Sequence, residues 1–240
     1  MDQRTLIGVL TPSSNTVLEP LTSAMVSGLD NVSAHFGRFR VTEISTSDMS
    51  NAQFNLDSQL AAADLLADAK VGSIVWSGTS ASWLGFEKDE QMCAAITART
   101  GVPAGTAVLA TNELFKRSGA RTFGLVSPYV PEIQDKIVAN YASAGLTCVS
   151  ERHLNETRNF DFSLFSEEVI EKMIREVAAD GPDAITIMCT NMRGARIAPR
   201  LEAELGIPIF DSTAAAVWTG MRRAGDNPER IKGWGRTFIL

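Results

Sequence analysis

The segments Gly8-Val9-Leu10-Thr11-Pro12 and Gly124-Leu125-Val126-Ser127-Pro128 share one form: an apolar run opened by glycine and closed by a hydroxyl residue and proline. They are not the only matched pair. Ile74-Val75-Trp76-Ser77-Gly78-Thr79 returns as Thr186-Ile187-Met188-Cys189-Thr190 with one residue fewer, and Gly101-Val102-Pro103 returns as Gly206-Ile207-Pro208. The three echoes keep their order at separations of 105 to 116 residues, which points to two similar half-chains. Matching loops would then face each other across one cleft, with Gly78 opposite Cys189.

Outward from these echoes, short apolar runs alternate with helical patterns, the mark of an α/β protein with parallel sheets. Leu6 to Leu10, Ser73 to Trp76, Thr122 to Val126 and Ala184 to Met188 read as buried strands. Leu60, Ala63, Leu66 and Ala67 share one helical face, as do Ile133, Ile137, Tyr141 and Ala144. Gly119, Gly145 and Gly206 follow such patterns where helix C-caps belong. Pro20 sits early in the first helical pattern, so Asn15 to Glu19 reads as a loop feeding a helix N-terminus that could receive an oxyanion.

The expected architecture is two similar α/β lobes, each a short parallel sheet flanked by helices, related by a pseudo-twofold with the active site between them. Short crossings are expected near Thr106 to Gly119 and near Gly206 to Thr213. If the helix Ala214 to Arg223 packs on the first lobe, that lobe comprises residues 1–105 and 212–240, and the second comprises 106–211. The tail from Gly233, with Trp234 and Phe238, would cover apolar surface or form a subunit contact.

Composition narrows the partners. Of 240 residues 45% are hydrophobic, the net charge is -6, and no run of Lys or Arg occurs, which argues against nucleic acid or an anionic membrane. No apolar stretch is long enough to span a bilayer, and Met1-Asp2-Gln3-Arg4 runs straight into a strand pattern, so a cytoplasmic protein is expected. Three cysteines without CxxC spacing and two isolated histidines, His35 and His153, do not suggest a disulfide framework or a metal centre. Walker and dinucleotide fingerprints are absent, so no cofactor is expected. Small molecules remain as partners, with a homo-oligomer left open.

In open parallel sheets ligands bind beyond the carboxyl ends of the strands. Four loops qualify: Thr11 to Asn15, Ser77 to Ser80, Ser127 to Tyr129 and Cys189 to Asn191. Their hydroxyls, amides and backbone N–H groups suit a carboxylate or a developing enediolate. The same residues are also ordinary turn formers. Cys93, in a helical pattern, and Cys148, in a strand pattern, read as core, whereas Cys189 stands at a strand-to-loop junction. Tyr129 could present its phenol to a ligand or pack between the lobes. Trp76, Trp83 and Phe86 would build a wall of the cleft or of the core, and Asn155 and Asn159 lie in a polar loop.

The duplicated organisation, the opening Leu10-Thr11-Pro12-Ser13-Ser14-Asn15-Thr16-Val17-Leu18-Glu19 and the paired Thr-bearing loops resemble the aspartate/glutamate racemase superfamily. The likeness is to its maleate cis-trans isomerase and arylmalonate decarboxylase branch. That resemblance implies a cofactor-independent enzyme acting on a small dicarboxylate or related carboxylate. Two-thiol members place a cysteine in each paired loop; here the first position is Gly78. The run Gly78-Thr79-Ser80-Ala81-Ser82-Trp83 looks like the decarboxylase pattern, while Pro12-Ser13-Ser14-Asn15 is more similar to the isomerases.

Carried over by position, the resemblance implies Cys189 as the catalytic thiol and Tyr129 as a phenol donor. It places Thr79, Ser80 and the amides after Cys189, at Thr190, around an oxyanion, with Asn15 and Asn159 as amide contacts. The expected reaction is decarboxylation of a malonate-like substrate, its departing carboxylate pressed against Trp76, Trp83 or Val130 and its enediolate protonated by Cys189. The alternatives are a maleate-type isomerase or racemase and a carboxylate-binding protein without turnover.

Overall fold

In the computed structural model, which describes residues 4–44 and 56–240, each glycine-led run becomes an inner strand of a four-stranded parallel sheet. β1 (Thr5–Pro12) lies between β2 (Val32–Phe39) and β3 (Ser73–Trp76), and β4 (Ala104–Thr106) completes the order β2-β1-β3-β4. In the second sheet β5 (Thr122–Ser127) lies between β6 (Thr147–His153) and β7 (Ala184–Ile187), and β8 (Ile209–Asp211) completes β6-β5-β7-β8. All six pairings are parallel.

β3 and β7 are buried along their whole length. Strands covered by helices on both faces need apolar side chains at every position, which is why these runs are continuous and do not alternate. The echo persists in register, since Val9 pairs with Val75 and Leu125 with Thr186. Gly78 and Cys189 each follow their strand by two residues.

The helices are α1 (Leu18–Val26), α2 (Leu56–Asp68), α3 (Ala81–Leu84), α4 (Phe86–Thr100), α5 (Ala107–Ser118), α6 (Pro131–Ser143), α7 (Glu167–Ala178), α8 (Ala198–Leu205) and α9 (Ser212–Arg223). α7 shows why they form: Ile170, Met173, Ile174 and Val177 make one buried stripe, and Ser166 caps the N-terminus by accepting from the Val169 amide. In α6 the buried face is Ile133, Ile137 and Tyr141, but Ala144 is exposed, because the helix stops at Ser143.

The first crossing is a twelve-residue helix, not a short connection, whereas the second is short, with Asp211 ending β8 and Ser212 starting α9. α5 leaves β4 of the first sheet, yet its Phe115 stacks on Phe123 and Phe210 of the second, with centroids 5.4 and 5.6 Å away. α9 leaves β8 of the second sheet and lies on β1, β3 and β4 of the first. There Ser73 Oγ donates to the Gly220 carbonyl at 2.8 Å. Gly220 permits this approach, since a Cβ would come within 2.7 Å of Ile7 Cγ2.

Matching residues start these helices. Thr106 Oγ1 accepts from the Leu109 amide, and Asp211 Oδ1 accepts from the amides of Thr213 and Ala214. The tail covers apolar surface: Phe238 is buried and the Arg196 guanidinium lies 5.4 Å from the Trp234 ring. Among the described residues no helix is long and apolar enough to cross a membrane; Met1 to Gln3 lie outside them.

Candidate active site

The loops after β3 and β7 meet at a cavity between the sheets. The first lobe contributes Pro12, Val41, Ile44, Trp76, Gly78, Thr79, Ser80 and Trp83, and the second contributes Tyr129, Asn159, Cys189 and Thr190. Its free volume is about 20 Å³, room for about one water molecule. Val41 and Ile44 roof it. They are held to the second lobe by an antiparallel bridge between Glu43 and Arg158, flanked by Ile44 N to Thr157 O and Asn159 N to Thr42 O.

Cys189 is buried at the end of β7, and its sulfur accepts from the Asn191 amide at 3.3 Å. Burial pushes the thiol up to about 12, while the bonds from the Asn191 amide and Tyr129 pull it back. At neutral pH the site therefore holds a protonated thiol. Tyr129 is also buried, and its hydroxyl lies 2.6 Å from Thr79 Oγ1. Burial, then the nearby thiol, raises the phenol well above its usual range. A phenol has one hydrogen. When the sulfur is a thiolate that hydrogen goes to sulfur, and Thr79 donates to the phenol oxygen.

Among the described residues the amides of Gly78, Thr79 and Ser80 have no acceptor. The Cys189 and Thr190 amides likewise have none. Two short stretches of backbone with free donors thus line one cavity, and donors of that kind can stabilise negative charge on oxygen.

Gly78 does not leave an empty place. Trp76, 1% exposed, folds its indole over it: a Cβ on Gly78 would lie 2.1 Å from Cζ2 and 2.3 Å from Cε2. Phe39 backs the indole, ring centroids 4.9 Å apart. Trp76 Nε1 is buried without a hydrogen-bond partner, which costs about 1–3 kcal/mol. The Trp83 ring packs edge-on to Tyr129, centroids 5.2 Å apart.

Asn15 is buried and bonds Thr190 of the cavity lining. Its Oδ1 accepts from the amides of Val17 and Leu18 and its Nδ2 donates to Thr190 Oγ1 at 3.1 Å. Asn191 Oδ1 accepts from the Thr16 and Val17 amides. The helix begins at Leu18, whose amide, like those of Thr16 and Val17, is already occupied. The Thr190 hydroxyl is committed too, donating to the Ser77 carbonyl at 3.0 Å.

Asn159 reaches the cavity, with Nδ2 on Ser14 Oγ at 2.7 Å and its carbonyl accepting from Asn191 Nδ2 at 2.5 Å. Asn155 does not; it is a left-handed turn residue with φ 56. Val130, expected on the apolar side, is not in the lining, and Phe86 packs instead on Tyr141 at 5.0 Å. Cys93 and Cys148 stand away from the cavity, pushed by burial up to about 12 and about 11. No group of three metal-ligating side chains occurs among the described residues.

Asp211, behind the Cys189 loop, is fully buried, and burial raises it to about 7 against the pull of the Thr213 and Ala214 amides. Its Oδ2 has no protein partner. Val41 and Ile44 escaped the reading of the sequence. The available signal was Val41 and Ile44 standing as isolated apolar residues among Arg40, Thr42 and Glu43.

Two parallel α/β halves with facing donor loops, one of which carries a thiol, define the aspartate/glutamate racemase-like class. A family model described as arylmalonate decarboxylase matches residues 7–238, and the chain belongs to that family. Arylmalonate decarboxylase of Bordetella bronchiseptica is 26% identical over 174 residues, covering 70% of this chain and 72% of that one. Maleate isomerase of Nocardia farcinica is 24% identical over 237 residues, covering 96% and 94%. The solved structure of the Nocardia farcinica maleate cis-trans isomerase, a cysteine-to-serine mutant with a covalently bound succinylcysteine intermediate, has the same fold. Its TM-score is 0.89 at 22% identity, over 98% of each chain.

Proposed function

We propose that the protein is a cofactor-independent lyase that decarboxylates a malonate-like substrate, with Cys189 delivering the proton. One observation carries this reading: the cavity holds a single thiol, kept protonated by burial, opposite a glycine. The site lies between a first lobe of residues 1–105 with 212–240 and a second of 106–211.

The cavity, which holds about one water, must open at its Val41 and Ile44 roof to admit substrate. One substrate carboxylate then sits against the amides of Gly78, Thr79 and Ser80, with the Ser80 and Tyr129 hydroxyls nearby. The other is pressed toward Val41, Ile44 and Trp83, where losing its hydration raises the ground state. Its C–C bond breaks, CO2 leaves, and the electron pair spreads over the retained carboxylate as an enediolate. Fixed donors stabilise those oxygens, each worth roughly 3–4 kcal/mol when it acts as an oxyanion-hole group, without simple addition. The enediolate carbon then takes the proton of Cys189. The thiolate so formed is held by the Asn191 amide and the Tyr129 hydroxyl until water returns a proton. A donor on one face gives one enantiomer.

The test is CO2 release from phenylmalonate by the wild type and by Cys189→Ala. No release by the wild type on a panel of substituted malonates overturns the reading. A maleate-type isomerase or racemase is the second reading, supported by the Nocardia farcinica maleate isomerase matching 96% of this chain and by Asn159 in the cavity lining. Proton NMR in D2O separates the two: deuterium entering at Cα, or cis-trans conversion of maleate, without loss of CO2 favours the second.

A further inference from the structure

Trp76 is the cavity residue whose polar group has no assigned use. Its indole is 1% exposed and lines the cavity, and its Nε1 is buried without a partner. Buried indole N–H groups ordinarily find an acceptor. The ring is also fixed in place. Phe39 packs against it at 4.9 Å, and the atoms lying over Gly78 are Cζ2 and Cε2. With Cη2 next at 2.7 Å, the benzo edge of the ring overlies Gly78, and Nε1, one bond from Cε2, lies at the margin of that contact. Trp76 stands two residues before Gly78, and the amides of Gly78, Thr79 and Ser80 have no acceptor among the described residues.

We infer that Trp76 is a specificity-determining residue whose Nε1–H donates to the retained carboxylate of the substrate from the face opposite Cys189. This rests on the carboxylate reading above and changes one part of it: Trp76 belongs to the donor set, and the apolar side is left to Val41, Ile44 and Trp83. The indole does two things at once. It supplies a neutral donor to an oxygen that carries charge before and after the C–C bond breaks. It also occupies the volume that any side chain at position 78 would need, so the second face of the substrate meets a ring edge and no acid. The chemistry selected is a planar carboxylate with its substituted carbon turned toward Cys189.

The test uses 15N-labelled full-length protein titrated with phenylmalonate. Four indole N–H resonances are expected from four tryptophans, and Trp76→Phe identifies one by its loss. The inference expects that resonance to move downfield on saturation, and phenylmalonate to bind Trp76→Phe about tenfold more weakly or worse, as for loss of a bond to a charged group. Replacement of Trp76 by β-(3-benzothienyl)alanine keeps the ring shape without the N–H, and it should weaken binding to the same degree. Binding to the wild type with an unmoved Trp76 resonance and unchanged affinity in the benzothienyl variant overturns the inference and leaves the carboxylate reading standing. No binding of phenylmalonate, maleate or malonate to the wild type removes both.

Discussion

The loops after β3 and β7 have the same length from strand to cavity and opposite contents. After β7, Cys189 points its sulfur at the Asn191 amide and Tyr129. After β3, Gly78 has no side chain, and the space above it is filled from two residues upstream by Trp76. At the matching upstream place in the second lobe stands Ile187, which packs over Gly194, where a Cβ would come 2.4 Å from its Cδ1. Duplication has preserved a backbone and its donors, and one exchange of bulk between neighbouring positions has made the cleft chemically one-sided.

Removing the thiol should have the largest effect. Cys189→Ala is expected to lower kcat for phenylmalonate decarboxylation about 10²- to 10⁴-fold, the range for loss of a positioned acid, read as CO2 release. Tyr129→Phe removes the hydroxyl shared with Thr79 and the thiolate, and kcat should fall about tenfold or more. The pH profile should show no loss due to Cys189 between pH 6 and 9, because a thiol pushed up to about 12 stays protonated there.

Making the loops alike tests the comparison directly. Gly78→Cys alone should lower stability by about 1–3 kcal/mol by overpacking and give no racemisation, because its Cβ meets the Trp76 ring. Trp76→Ala with Gly78→Cys should allow proton exchange at both faces, read as deuterium entering both product enantiomers. Racemisation by the single variant would mean that the indole yields.

The smallest effect concerns the matching caps Thr106 and Asp211. Burial raises Asp211 from 3.8 to about 7, so the folded state holds a proton that the unfolded chain has released. Its contribution is present below about pH 4 and is lost as pH rises to about 7. Denaturation of wild type against Asp211→Asn should therefore show the wild type losing relative stability across that window and no further change above it. Asp89, raised to about 7 by burial as well, is present in both proteins and cancels. Asparagine keeps the cap, and Thr106→Ser should show no such pH slope.

The echoes made the fold legible because each falls on a buried parallel strand or the turn beside it, where continuous apolar runs leave a strong local signature. β1 and β5 are adjacent to β3 and β7 for the reason the echoes keep their order. The first crossing was less legible. Thr106 to Gly119 reads as a linker only if one ignores that Val108, Thr111, Leu114 and Phe115 fall on one buried face. In the site, Cys189, Tyr129, Thr79 and Ser80 could be named because loop position alone brings them to the cleft. The partners of Asn15 were only half legible: its bonds to the Val17 and Leu18 amides are local, but its bond to Thr190 depends on a loop 175 residues away. The indole over Gly78 depends on a side-chain rotamer and on Phe39 behind it, and neither has a sequence pattern.

The exchange of helices between the sheets bears on how the chain is made. The face of the first sheet formed by β1, β3 and β4 is covered by α9, which is synthesised about a hundred residues after β4. A nascent chain emerging in order thus has all strands of its first sheet, with Ile7 and Val75 still bare, while the second half is on the ribosome. Contacts such as Ser73 with Gly220 can form only once α9 has been made, and they close a loop of 147 residues. Folding should be slow and dominated by that closure, and the apolar strand face left waiting is where a chaperone, or another unfinished copy, would bind first.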